Sequence, residues 1–319
     1  MTQSELSVES PLPKRLTAWM MERFPPANGV LFLVLFLVAL LYGRFLTNAG
    51  ALALRPADLA GFAAAYCFFL MLRVFDEHKD YEIDCRNHPG RVLQRGLITL
   101  GHLKVVGAIA IVIQLAVSLA LDGGFGAITG VWAIVMFWST LMAFEFFAGE
   151  WLNKRLVLYA ISHMVVMPMA LVWMAFMGAD GSGLSAHVIP LAALSFFSGF
   201  SFELARKTKA PEDERDGVDS YTKAFGVKRA PMVTLVLVAG GGIAAVPLLL
   251  HISTGITLWV WLIILMAAVA LPITMLLKFR AAPSSSGAKK QEATIGLSLL
   301  LEYVLLITAL FVSRGVHWG

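Results

Sequence analysis

The sequence predicts an all-α polytopic membrane protein, and three observations carry that prediction. The chain is 58% hydrophobic and only 14% charged over 319 residues, with a mean hydropathy of +0.76. Soluble domains devote roughly a quarter of their residues to charge. Apolar runs recur that reach the ~20 residues a helix needs to cross a bilayer. Finally, the basic residues alternate between connections as they do in multi-pass proteins, crowding one side of the membrane.

Nine spans are expected, at 28–47, 58–75, 103–121, 127–148, 156–177, 187–204, 231–251, 255–278 and 295–313. If the N-terminus is cytoplasmic, only Arg44, Arg55 and Arg314 of the 25 Lys and Arg residues fall outside. The positive-inside rule then gives an N-terminus inside and a C-terminus outside, with a bacterial inner membrane as the expected address. Residues 1–27 are expected as a cytoplasmic N-terminal segment, polar and dotted with proline, without the apolar start of a cleavable signal. Within it, 12-LPKRLTAWMMERF-24 reads as a structural lead-in or as a short amphipathic helix on the membrane surface. Residues 28–319 form the nine-helix transmembrane domain, with charged cytoplasmic loops at 76–102 and 203–229. The loop 280-RAAPSSSGAKKQEAT-294 reads as a flexible connector. The pI near 9.1 reflects those loops and implies no nucleic-acid partner. Cys67 and Cys85 make no metal pattern and need no disulfide.

Chemistry concentrates in the second and sixth loops. After the second span comes 76-DEHKDYEID-84, which sets Asp76, Asp80 and Asp84 four residues apart, with Glu77 bordering the same stripe. Like charges at that spacing repel, and a cation among them relieves the cost. Mg²⁺ is commonly held by one or two carboxylates plus substrate phosphates. A solvated helix end with Lys79 and Arg86 interleaved is the competing reading. Arg91 and Arg95 follow a His-Pro-Gly turn, and arginine suits bidentate phosphate contact. Acids for a metal followed by arginines for phosphate suit a diphosphate ligand.

This stretch resembles the first signature of the UbiA superfamily of intramembrane prenyltransferases, Asn-Asp-x-x-Asp-x-x-x-Asp followed by Arg-Pro-x-x-x-Gly. Asp80, Asp84 and Arg91 match by position. Asp76 stands in place of the Asn, Glu77 in place of the first Asp, and Val92 in place of the Pro. The sixth loop, 203-ELARKTKAPEDERDGVDSYTKAFG-226, resembles the second signature less closely. Gly217-Val218-Asp219-Ser220 is similar to its Gly-x-x-Thr, and Asp213 sits where its last aspartate belongs. Lys209 stands where an acid is expected, with Glu203 as a substitute farther upstream. Pro211 breaks a helix there, so Glu212, Asp213 and Asp216 are expected in a loop or a new turn. Lys154-Arg155 resembles a basic pair near the diphosphate, and a positive-inside anchor explains it equally well.

The resemblance implies a prenyltransferase, a transferase of alkyl groups other than methyl, acting on a prenyl diphosphate and a lipophilic acceptor within membrane lipid. It implies Mg²⁺ on Asp76, Glu77, Asp80 and Asp84, with Glu203 and Asp213 as a divergent second metal set. Asp80, Asp84 and Asp213 would then be catalytic, with Arg91, Arg95, Lys154, Arg206 and Lys207 binding substrate. Arg206 and Lys207 could instead simply pair with Glu203. A membrane terpene cyclase and a non-catalytic ion-binding or transport protein are the alternatives. Arginines behind the acids argue against plain cation transport, where acids are expected deeper in the bilayer.

Three polar residues inside spans stay open on sequence alone. Glu145 is a functional acid or an interfacial one, His163 a hydrogen-bonded bundle histidine or a catalytic base, and Glu302 a cavity acid or an interhelical hydrogen-bonding group. Aromatics such as Phe68, Phe69, Phe144, Phe147 and Phe200 line an isoprenoid tunnel, or face lipid or core. Gly240-Gly241-Gly242 reads as close helix packing.

Overall fold

A computed structural model describes residues 6–48, 50–215 and 220–319. Gly217, Val218 and Asp219 of the Gly-x-x-Thr-like motif, and Asp216, lie outside the described residues. The chain is an all-α integral multi-pass membrane protein. Its helices are α1 (Leu12–Arg23), α2 (Asn28–Thr47), α3 (Pro56–Lys79), α4 (Tyr81–Asn87), α5 (Leu100–Asp122), α6 (Ala127–Ala143) and α7 (Gly149–Asn153). They continue with α8 (Leu156–Met164), α9 (Val166–Gly178), α10 (Ile189–Arg206), α11 (Tyr221–Phe225), α12 (Ala230–Ile252), α13 (Gly255–Ala281) and α14 (Ser285–Arg314). Two short strands, β1 (Leu52–Leu54) and β2 (Val316–Trp318), pair in parallel and tie the C-terminus to the connection after α2.

Among the described residues, eight helical segments are long and apolar enough to cross a membrane, with α8 and α9 together forming one of them. The expected count of nine is not met by that measure, because the 127–148 candidate is helical only over the 17 residues of α6. It stops where Glu145, Phe146 and Phe147 adopt consecutive left-handed φ values of 50°, 54° and 55°, which no right-handed helix can continue through. The Glu145 carboxylate folds back over Gly149, into the space a Cβ would take. The α8–α9 break at Val165 has a local cause in Pro168, which has no N–H to donate to the carbonyl of Met164.

One further expectation is corrected. The 280–294 connector is almost entirely helix, because Ser284 accepts from the Gly287 N–H to cap α14. Ala288 then packs with Phe279 and Ala210, and Gln291 is buried. The lead-in segment is an ordered helix, α1, whose Trp19 is buried among Val92, Leu93, Leu97 and Ile98.

Lipid exposure explains the outer surface. Ile256, Trp259, Ile263 and Met266 run along the outside of α13, where hydrocarbon rather than water is the solvent. Inside, helix packing relies on small residues. At the α2–α9 crossing, a Cβ on Gly43 would strike the Ala175 carbonyl, and one on Gly178 would strike that of Leu40. The Gly240–Gly242 run is likewise a packing surface, set against Phe197 of α10 and Val269 of α13. Two of the three basic residues that break the charge alternation have acid partners at that end: Arg44 forks onto Asp58 at 2.9 Å, and Arg55 meets Asp180 at 2.9 Å. Phe68, Phe69 and Phe200 are core, while Phe144 and Phe147 face outward. Both cysteines are free thiols.

Candidate functional site

The carboxylate stripe ends α3. The helix breaks at Asp80, but the Asp80 N–H still donates to the Asp76 carbonyl, and that of Asp84 to the Asp80 carbonyl. The four-residue spacing therefore survives into α4, yet the acids divide into two sets. Glu77 is fully buried and accepts from Arg23 Nε at 2.6 Å and from Arg73 at 2.7 Å. Asp84 accepts from Arg91 at 2.6 Å and from Arg23 at 3.3 Å. Three arginines thus neutralise these two acids. Arg23 comes from α1, which is held over the second loop by two more contacts. Arg15 donates to the Leu97 carbonyl at 2.7 Å, and the Val92 N–H donates to Glu22 at 3.2 Å. The latter bond needs the N–H that a proline at position 92 would lack.

Asp76 and Asp80 form the second set and interact electrostatically with the end of α10. Arg206 acts on Asp76, and Lys207 acts on Asp80. Partial burial pushes the Asp80 carboxyl above the ordinary aspartate range; Lys79 and Lys207 pull it back, while Asp84 and Glu77 push it up. Asp76 has a loose partner besides, Arg73 at 3.9 Å.

At the end of α10, Glu203 accepts from Arg206 and from Lys207, each at 2.7 Å. The buried ring of Tyr221 lies close to this cluster, and its N–H donates to the Lys207 carbonyl at 3.0 Å. Lys79 Nζ donates to the Tyr159 hydroxyl at 2.5 Å, and Tyr159 stacks on His163 with ring centres 4.0 Å apart.

Other predicted residues make different contacts. α10 already ends at Arg206, before Pro211 is reached, and Asp213 sits exposed in the separate turn Pro211–Asp213. Its neighbour Glu212 accepts from the Ser285 N–H at 2.8 Å, and Glu214 accepts from Ser220 at 2.6 Å. These bonds anchor the segment to α14 and α11. Lys154 is exposed just beyond α7, and Arg95 donates to the Leu6 carbonyl at 3.1 Å. Glu145 lies in the left-handed turn, near enough to Tyr159 to act on it electrostatically. No group of three or more His, Cys, Asp or Glu residues forms a preformed metal cage among the described residues. Asp76 and Asp80 nevertheless offer two carboxylates on one side, which suits Mg²⁺ shared with a phosphate ligand.

Sequence reasoning missed Arg23, Arg73, Tyr159 and Tyr221. Arg73 was detectable, four residues before Glu77 on the same helix face. Nothing in the local sequence pairs Arg23 with Glu77.

The UbiA prenyltransferase family matches residues 36–300 of the chain. No curated protein sequence matches it. Among solved structures, a digeranylgeranylglyceryl phosphate synthase superposes with a TM-score of 0.65 at 19% identity, over 93% of this chain and 99% of that one. A UbiA homologue from Aeropyrum pernix K1, in its apo form, superposes with a TM-score of 0.61 at 16% identity, over 88% and 96%. At these identities the likeness is one of fold.

Proposed function

Because the chain belongs to the UbiA prenyltransferase family, we propose that it transfers an isoprenyl group from a prenyl diphosphate to a lipophilic acceptor where α3 and α10 end. The observation that carries this reading is the electrostatic interaction of Asp76 with Arg206 and of Asp80 with Lys207. Acids for a metal and cations for phosphate oxygens stand together at the rim of an apolar bundle.

Asp76 and Asp80 would hold Mg²⁺, which when bound supplies charge neutralisation to the leaving diphosphate. Arg206, Lys207 and Lys79 bind the remaining phosphate oxygens. The allylic C–O bond breaks with its electron pair going to diphosphate, and an electron pair of the acceptor closes on the carbon. Glu77 and Asp84 orient Arg23, Arg73 and Arg91, so the second loop keeps its shape while ligand charge comes and goes. Glu203 positions Arg206 and Lys207, and Asp213 stands outside the reaction. The charge alternation supports a cytoplasmic face for this end and a bacterial inner membrane as the address.

The test is diphosphate release by purified protein given geranyl, farnesyl or geranylgeranyl diphosphate with Mg²⁺. Release should require Mg²⁺, vanish in Asp80→Ala, and stay within about 3-fold of wild type in Asp213→Asn. No release from any of the three diphosphates refutes the reading.

A further inference from the structure

Glu302 and His163 are buried titratable side chains within the bundle and outside the proposed chemistry. Glu302 is already served, with Ser198 donating to it at 3.2 Å and Ser298 at 3.5 Å. His163 is not. Its Nδ1 lies 2.8 Å from the Tyr159 carbonyl oxygen. A carbonyl only accepts, so Nδ1 carries the hydrogen, and in the neutral ring Nε2 is left with a lone pair. Nε2 is buried and has no hydrogen-bond partner among the described residues, in a side chain only 9% exposed. Buried polar atoms normally find partners, and an unpartnered one points to a ligand or a role.

The surroundings say which role. Tyr159 stacks on one side of the ring at 4.0 Å, and Phe146 meets it edge-on at 5.9 Å. The charged groups acting on it are Lys79, Lys207 and Glu203, which belong to both halves of the diphosphate site. His163 lies seven residues along α8 from Leu156, about 10 Å deeper into the bundle. The Tyr159 ring links the two places, since its hydroxyl accepts from Lys79 and its face stacks on His163.

We infer that His163 Nε2 accepts a hydrogen bond from a hydroxyl of the acceptor and takes its proton in the transfer step; this rests on the prenyltransferase reading. The C–O bond to diphosphate breaks with its pair, a new bond forms from the acceptor oxygen to the allylic carbon, and the hydroxyl proton moves to Nε2. Nothing is oxidised or reduced. The segment Glu145–Phe147, with its left-handed backbone, sets Phe146 edge-on against the ring.

The experiment compares wild type with His163→Ala and His163→Gln, using geranylgeranyl diphosphate and Mg²⁺ with a monoalkyl glycerol or 4-hydroxybenzoate as hydroxyl probe. Glutamine keeps a donor for the Tyr159 carbonyl and controls for packing. Both variants should release diphosphate within about 3-fold of wild type while losing transfer by about 100-fold or more. Imidazole should restore transfer in the alanine variant, and the acid limb of the wild-type transfer profile should vanish in both. Unchanged transfer in either variant overturns the inference. So does a matched fall of release and transfer in the glutamine variant without imidazole rescue of the alanine one. Release by wild type without transfer to either probe overturns the hydroxyl assignment. No release by wild type overturns instead the prenyltransferase reading beneath it.

Discussion

Arg23→Met should loosen the second loop by about 2 kcal/mol. In the folded protein, Arg23 Nε lies 2.6 Å from Glu77, whose side chain is fully buried, and its other arm reaches Asp84 at 3.3 Å. A hydrogen bond to a charged group contributes about 1.5–3 kcal/mol. The Glu77 contact belongs near the middle of that range, since Arg73 still pairs with Glu77 and Arg23 keeps an 18% exposed side chain. The longer Asp84 contact adds little, because Arg91 holds Asp84 at 2.6 Å. The assay is a double-mutant cycle of Arg23→Met with Glu77→Gln, read by unfolding of detergent-purified protein. Removing both partners should cost less than the sum of the single changes, with a coupling of about 1 kcal/mol or more. Cleavage within 86–98 by added protease should rise in Arg23→Met, because α1 would then hold that loop through Arg15, Glu22 and apolar packing alone. A coupling below about 0.3 kcal/mol, within the range of independent sites, would refute the idea that α1 clamps the acidic loop through this arginine.

Two further outcomes follow from packing and charge. Gly43→Ala and Gly178→Ala should each destabilise the protein by about 1–3 kcal/mol or more, because the new methyl meets backbone of the opposing helix rather than a movable side chain; unfolding midpoints check this. The acid limb of diphosphate release at limiting Mg²⁺ should lie above the ordinary aspartate range, since ionised Asp80 is lost as pH falls through its raised value. Lys207→Met should move that limb higher, because the lysine charge favours the carboxylate, and more Mg²⁺ should move it lower by competing with protons.

What could be read from the sequence follows the range of the physics involved. The spans were legible because hydrocarbon imposes length and polarity on each helix independently. The stripe at Asp76, Asp80 and Asp84 was legible because four-residue spacing is a local property of a helix, and it persists through the break at Asp80. The division of that stripe was not legible. Arg23 is 54 residues from Glu77 in the chain, and only the docking of Trp19 beneath the 91–98 segment brings them together. The end of α6 was missed for a related reason. Glu145-Phe146-Phe147 carries no glycine or proline to mark its left-handed turn. The 280–294 segment misled through composition, since serines and glycine that suggest a linker also supply the cap of α14.

The departure of the sixth loop from the second signature has a charge logic in this fold. Two facing acidic clusters would repel unless each held a metal. Here Glu203 is engaged by Arg206 and Lys207, so the end of α10 carries net positive charge and attracts Asp76 and Asp80 instead of repelling them. On the proposed function, fixed cations would then balance phosphate in place of a second metal. The displaced acids, Glu212 and Glu214, are free to serve packing, fastening the loop to α14 and α11. Lysine at position 209, the least familiar substitution in the motif, fits the same scheme: its Nζ donates to the Arg206 carbonyl at 2.9 Å and its N–H to Thr222 at 3.1 Å. It closes the end of α10, the element on which the cationic half of the site depends.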